Sequence, residues 1–119
     1  MSFMDVYAAL GDPTRRVILE MLARKGDLSA TEIYGQFKVS HPAISQHLKV
    51  LRDANLVQVT RKAQQRIYAL NREPLEQMEG WIERLTQLYD ERYEALDRVL
   101  AAEKEKLHLR SQNKGDQEL

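Results

Sequence analysis

The 119-residue sequence contains no cysteine. That excludes a disulfide framework, a zinc ribbon, a thiolate metal sensor and a cysteine nucleophile. No apolar run approaches the ~18 residues needed to span a membrane. The opening stretch, MSFMDVYAAL, lacks the basic n-region and small-residue cleavage site of a secretory signal, so a cytoplasmic protein is expected. Glycine is scarce, five residues in all, which leaves little room for a strained active-site loop. A phosphate-cradling glycine loop, a Gly-x-Ser-x-Gly elbow and a helix-borne His-Glu-x-x-His are missing, so no enzyme, catalytic residue or cofactor is expected. His41 and His47 are six apart, a spacing that does not share one helix face, and no metal site is assigned.

Net charge is lacking too: 18 Lys and Arg balance 18 Asp and Glu. The balance hides a segregation. Residues 1–71 carry 10 basic and 6 acidic side chains, and residues 72–119 carry 8 and 12. The stretch 36–66 holds Lys38, Lys49, Arg52, Arg61, Lys62 and Arg66 against Asp53 alone. A basic middle followed by an acidic tail suits a chain whose first part meets a polyanion.

The apolar periodicity is helical with one interruption. Phe3, Val6, Tyr7 and Leu10 give a short helix stopped at Gly11. Asp12-Pro13 starts a second, with Asp as N-cap and Pro at the first helical position. Val17, Ile18, Met21 and Leu22 form its apolar face, and Lys25-Gly26 ends it. Asp27-Leu28-Ser29 reads as a connector. Ser29 with Glu32 makes a capping box for a third helix whose buried side is Ile33 and Phe37. A further helix runs from about His41 to Ala54, with Pro42 in its first turn. Leu56, Val57 and Val59, then Arg66 to Leu70, have the short, strand-forming character of a hairpin with a basic tip. The tip has no Asn-Gly or Asp-Gly, which leaves its turn type open. From Pro74 the chain is helical to about Leu109. Leu75, Met78, Ile82, Leu85, Tyr89, Tyr93, Leu96 and Leu100 recur at steps of three and four, widened by Trp81, Leu88 and Val99. A stripe of that length exceeds what a seventy-residue domain covers, and a second copy of the chain is its simplest partner.

The expected fold is mainly α with a small β-hairpin: a winged helix-turn-helix followed by a long C-terminal dimerisation helix. Its segments are residues 1–72 for the winged domain, 73–110 for the helix and 111–119 for a polar, disordered tail. In the helix that starts near His41, Ile44, Leu48 and Leu51 face inward. His41, Ser45, Lys49 and Arg52 form a second stripe bordered by Gln46, with no carboxylate until Asp53. Gln pairs with adenine, Lys donates to guanine and Ser serves either, so this stripe has the chemistry of base recognition. Arg61, Lys62 and Arg66 on a thin protrusion suit a minor groove or flanking phosphates. Charged hairpin residues also protect a sheet edge, which is the competing explanation.

The stretches ALGDPTRRVILEMLA and LSATEIYGQFKVSHPAISQHLKVLRDANLVQV, with a wing ending RIYAL, resemble the ArsR/SmtB-type winged-helix repressors. The resemblance covers about residues 5–72, and VSHPAISQHLKVLRDANLV is its most specific block. It implies a homodimeric transcriptional repressor that binds double-stranded DNA at an inverted-repeat, pseudo-palindromic operator. It also implies a DNA role for Ser40, His41, Ser45, Gln46, His47 and Lys49, and a wing role for Arg61, Lys62 and Arg66. The chain departs from metal-sensing members. The helix before the recognition helix opens DLSATEI without a thiol, and the last helix holds only His108. Those members' metal sensing is therefore not carried over.

For the dimer interface the expected residues are Phe3, Tyr7, Met78, Trp81, Ile82, Leu85, Tyr89 and Tyr93, since aromatic side chains favour buried interfaces. The aromatic ones among them could alternatively line a pocket for an unknown small organic effector. His47 could contact DNA or cap the packing of Leu48. Arg15 or Arg16 could reach a phosphate or pair with Glu20 or Asp12. A different class of reading is a winged-helix protein-interaction module with no DNA role, against which the carboxylate-poor 36–66 stretch argues.

Overall fold

Short capped helices build the first half of the chain, and the caps are written in the sequence. The computed structural model describes residues 5–117, with side-chain surroundings given as far as residue 112. Helix α1, Val6–Ala9, is capped by Asp5, whose carboxylate accepts the Tyr7 N–H at 3.0 Å. Helix α2, Pro13–Lys25, is capped by Asp12, which accepts the N–H groups of Thr14 (2.7 Å) and Arg15 (3.3 Å). Gly26, with φ of 82°, ends α2 in a conformation that glycine adopts without steric cost. Helix α3, Ala30–Tyr34, carries the capping box: Ser29 Oγ accepts from the Glu32 N–H, and the Ser29 N–H donates to Glu32 Oε1, both at 3.1 Å. Helix α4, His41–Asp53, is capped by Ser40 Oγ, which accepts the Ala43 N–H at 3.3 Å.

The end of α4 is a Schellman motif. The Leu56 N–H reaches back to the Leu51 carbonyl (3.0 Å) and the Asn55 N–H to that of Arg52 (2.9 Å). Asn55 takes φ of 61°. Leu51 and Leu56 are both fully buried, the apolar contact that accompanies this motif. The Asn71 side-chain amide donates to the Asn55 carbonyl at 2.8 Å, tying the turn to the end of the hairpin.

Strands β2, Val57–Lys62, and β3, Gln65–Leu70, form the antiparallel hairpin, in register from Val57 opposite Leu70 to Lys62 opposite Gln65. A two-residue strand, β1 (Leu28–Ser29), adds to the other side of β3, giving the order β1-β3-β2. The sequence reading took residues 27–29 as a connector. The strand exists because Tyr68 and Ile67 arrive opposite Leu28 and Ser29.

The core joins Ile18, Leu19 and Leu22 of α2, Ile33 of α3, Ile44, Leu48 and Leu51 of α4, and Leu56, Val57 and Tyr68 around the sheet. Two expectations are corrected here. In α2 it is Leu19, not Val17, that joins the core; Val17 is 45% exposed, because the buried stripe follows Ile18 and Leu22 and Val17 falls to its side. Helix α3 ends at Tyr34, and Phe37 packs half-buried against the core from the following turn.

Helix α5 runs from Arg72 to Gln117. It extends beyond the expected limit near Leu109, since no proline intervenes and Gln112 hydrogen-bonds His108 one turn back at 3.1 Å. Residues 118 and 119 of the expected tail lie outside the described residues. The chain divides into two compact units, the first reaching to Met78 and the second beginning at Glu79. Within the first, Leu75 packs on the core. Within the second, the side chains of residues 81–112 are exposed on the single chain. Among the described residues no helix is long and apolar enough to cross a membrane.

Candidate nucleic-acid interface

Burying one face of α4 dictates what the other presents. Ile44, Leu48 and Leu51 have at most 1% of their surface exposed and fix the rotation of the helix. At 100° per residue this turns Ser45, Gln46, Lys49 and Arg52 outward, and all four are exposed. His41 is also exposed, but its ring stacks on Tyr34 with centroids 4.5 Å apart and planes 13° from parallel. The stack holds the start of α4 against the end of α3. Ser40 is occupied as the N-cap.

His47 stands apart from this stripe. It is half-buried, and its Nδ1 lies 3.3 Å from Nη1 of Arg15. A guanidinium only donates, so Nδ1 is the acceptor. Arg15 also donates from Nε to the Ala9 carbonyl (2.6 Å) and from Nη2 to that of Ala8 (3.3 Å). Arg16 donates to the Leu10 carbonyl at 2.7 Å. The two arginines thus satisfy the orphan carbonyls at the end of α1, and Arg15 ties that end to α4. Desolvation alone would raise the pKa of Asp12 beside them. The N–H groups of Arg15 and Thr14, with the charges of His47 and Arg15, outweigh it and hold the carboxyl below its ordinary range. The sequence gave no sign of this arrangement beyond the presence of Arg15 and His47, because the contact spans 32 residues.

The hairpin supplies the rest. Arg61 and Arg66 sit directly opposite one another on β2 and β3, an arrangement of like charges that costs stability. The loop between the strands is Ala63-Gln64, and Ala63 takes φ of 58°. The turn left open by the sequence is therefore a two-residue loop with its first residue in the left-handed region. Arg66 reaches the same groove as the α4 stripe: Ser45, Gln46, Lys49, Arg52, Arg66 and Tyr68 line a hollow of about 140 Å³. A larger open groove of about 610 Å³ lies along the outer side of the hairpin, with Arg52, Arg61 and Arg66 in its wall. Arg52 lines both, and the sequence reading placed it in the stripe without assigning it a contact.

Among the described residues the ion pairs are Glu20–Arg24, Arg72–Glu76 and Glu103–Lys106, all i,i+3 or i,i+4 pairs within helices. Lys49, Arg52, Arg61, Lys62 and Arg66 take part in none of them. Also among the described residues, no group of three or more His, Asp or Glu could hold a metal ion. The structure therefore gathers Ser45, Gln46, Lys49, Arg52 and Arg66 around one groove, sets Arg61 and Lys62 further along the hairpin, and turns His47 toward Arg15.

The expected interface residues are distributed differently. Phe3 lies outside the described residues. Tyr7 is exposed on α1, Met78 is half-buried, and Trp81, Ile82, Leu85, Tyr89 and Tyr93 are exposed along α5. The Tyr89 hydroxyl donates to that of Tyr93 at 2.9 Å, which with desolvation and the Asp90 charge raises the Tyr89 pKa.

Comparison with known proteins places this geometry among regulators. The family model described as bacterial regulatory protein, arsR family, matches residues 12–59. The transcriptional repressor SdpR of Bacillus subtilis is 40% identical over 78 residues, which cover 66% of this chain and 86% of SdpR. The arsenical resistance operon repressor of Staphylococcus xylosus is 35% identical, over 60% of this chain and 67% of its own length. Among solved structures, an ArsR-like transcriptional regulator from Rhodococcus sp. RHA1 superposes with a TM-score of 0.71 at 32% identity, covering 79% of this chain and 88% of that one.

Proposed function

Because the chain belongs to the ArsR family of bacterial regulatory proteins, and is thereby a DNA-binding transcriptional regulator, we propose that it is a repressor that acts as a homodimer on a pseudo-palindromic operator. Helix α4 enters the major groove, where Ser45, Gln46 and Lys49 read base edges. Arg52 and Arg66 meet the phosphates beside the groove they line, and Arg61 and Lys62 extend that contact along the hairpin. His41 and the N-terminus of α4 lie where a phosphate is favoured by unpaired N–H groups and the helix dipole. His47 acts from behind, by fixing α4 to Arg15. The long helix, with Tyr7 of α1, forms the contact between copies.

One observation carries this reading: five cations of α4 and the hairpin stand without an ion pair on one carboxylate-poor face, two of them opposed across a strand pair at a cost to stability. A protein-interaction module has no use for that arrangement. The test is a gel shift of the full chain against the DNA upstream of its own gene. A sequence-selective shift at sub-micromolar protein that weakens steeply with salt supports the reading. No such shift on that DNA or on a genomic fragment library refutes it.

A further inference from the structure

The second unit carries an apolar seam whose order is informative. At heptad spacing its a positions are Ile82, Tyr89 and Leu96, and its d positions are Leu85, Arg92 and Val99. All are exposed on the single chain. Arg92 is the anomaly. Its neighbours three and four residues away are Leu88, Tyr89, Ala95 and Leu96, none of them a carboxylate, and it takes part in none of the ion pairs among the described residues. It lies instead with Tyr89, Tyr93 and Leu96 around a shallow hollow of about 180 Å³. A cation at that place tells against a parallel pair, in which d faces d and two guanidinium groups would share an apolar layer.

Resting on the dimer reading above, we propose that α5 pairs with α5 of a second copy in antiparallel orientation, centred between Asp90 and Glu91. In that register Arg92 lies over the partner's Tyr89, a cation–aromatic contact made twice by symmetry. Leu85 packs on the partner's Leu96, and Ile82 on the partner's Val99. Leu88, on the flank, meets the small side chain of the partner's Ala95. Sliding by one heptad toward the C-terminus would instead set Leu85 against Arg110 and Tyr89 against Lys106. Sliding the other way would leave Leu96 and Val99 beyond the pairing.

The charges along the helix support the same orientation. Residues 73–83 hold Glu73, Glu76, Glu79 and Glu83 with no cation, whereas residues 98–110 hold Arg98, Lys104, Lys106 and Arg110 against Glu103 and Glu105. An antiparallel pair sets the acidic start of each helix beside the basic end of the other; a parallel pair sets like beside like. The register also has a consequence at the DNA. The two Glu79 positions fall 23 residues apart along the pair, about 35 Å at the rise of an α-helix. That is close to the ~34 Å between successive major-groove faces that a two-fold operator presents.

The absence of cysteine makes the test clean, since one introduced thiol takes one spin label. Full-length Lys104→Cys and Asp90→Cys are labelled on the polar side of α5, and label-to-label distances within the dimer are measured by pulsed electron paramagnetic resonance. Position 104 lies opposite position 77 of the partner, so the Lys104 labels should be about 40 Å apart and the Asp90 labels about 20 Å. About 20 Å at both sites shows a parallel pair and overturns the proposal. About 20 Å at Lys104 with a longer distance at Asp90 shows an antiparallel pair in the other register and overturns it too. A dimer with both distances beyond 50 Å places the interface off α5. In each of these cases the homodimer stands and only its geometry fails. A chain that is monomeric by light scattering removes the dimer reading itself.

Discussion

Arg66 answers to two demands that pull in opposite directions, and Arg66→Gln separates them. Glutamine keeps much of the length and hydrogen-bonding capacity of arginine and removes the charge. In the hairpin, Arg66 faces Arg61 across the strand pair and both are exposed. Two guanidinium groups about 7 Å apart in water repel by about 0.6 kcal/mol, which a Debye length of about 8 Å at physiological salt reduces to about 0.2–0.3 kcal/mol. Urea unfolding should therefore show stability unchanged or raised by that small amount. DNA binding should move the other way. Losing one phosphate contact per protomer, two per dimer, reduces the slope of log affinity against log salt by about 1.8. Over a rise from about 50 to about 200 mM salt, the wild-type affinity should then fall about twelvefold further than that of the variant. Fluorescence anisotropy on the shifted duplex measures both slopes. Equal slopes would remove Arg66 from the phosphate contact. A stability loss above about 1 kcal/mol would show that it holds the hairpin instead.

Three other outcomes follow from the same geometry. Gln46→Ala and Lys49→Ala should each cost about 1–3 kcal/mol at the cognate site and relax preference for the contacted base, read on single-substitution duplexes; a loss uniform over all duplexes would make them phosphate contacts. Asn55, at φ of 61° in the Schellman turn, should tolerate Asn55→Gly with equal or higher urea stability, while Asn55→Val should lose about 1–2 kcal/mol. Hydrogen bonds from the Ser29 N–H to Glu32, and from the Arg15 and Thr14 N–H groups to Asp12, leave both carboxyls with lowered pKa values in the folded chain. The folded state then binds those protons more weakly than the unfolded state. The stability they contribute is complete above the ordinary values of 4.5 and 3.8 and is lost as pH falls through the lowered ones. The double variant Asp12→Asn, Glu32→Gln should show a flatter urea midpoint between about pH 5 and about pH 3 than the wild type, and an identical profile would mean that neither cap is linked to folding.

Local chemistry made much of this structure readable from the sequence. Asp12-Pro13 and the Ser29–Glu32 box are self-contained signals, and both caps form. The recognition stripe was readable because Ile44, Leu48 and Leu51 leave α4 only one way to turn. What escaped depends on distant parts of the chain. Strand β1 is two residues long and is defined by β3, some forty residues later. The roles of Arg15 and Arg16 depend on where the end of α1 lies relative to α2, which periodicity does not encode. The exchange of Val17 for Leu19 is a rotation of α2 by less than its apolar stripe can specify. The path of α5 beyond Leu109 was missed because a polar composition was taken for the end of a helix that no residue breaks.

Hydroxyl-radical footprinting of the full chain on the fragment it shifts tests the dimeric, α4-directed binding most directly. Two protected patches per strand, related by a two-fold axis and centred about one helical turn (~34 Å) apart, should appear with wild-type protein and vanish together when Lys49, Arg52 and Arg66 are all replaced by glutamine. A single patch, or protection that survives the triple replacement, would mean that DNA is held by another face of the molecule.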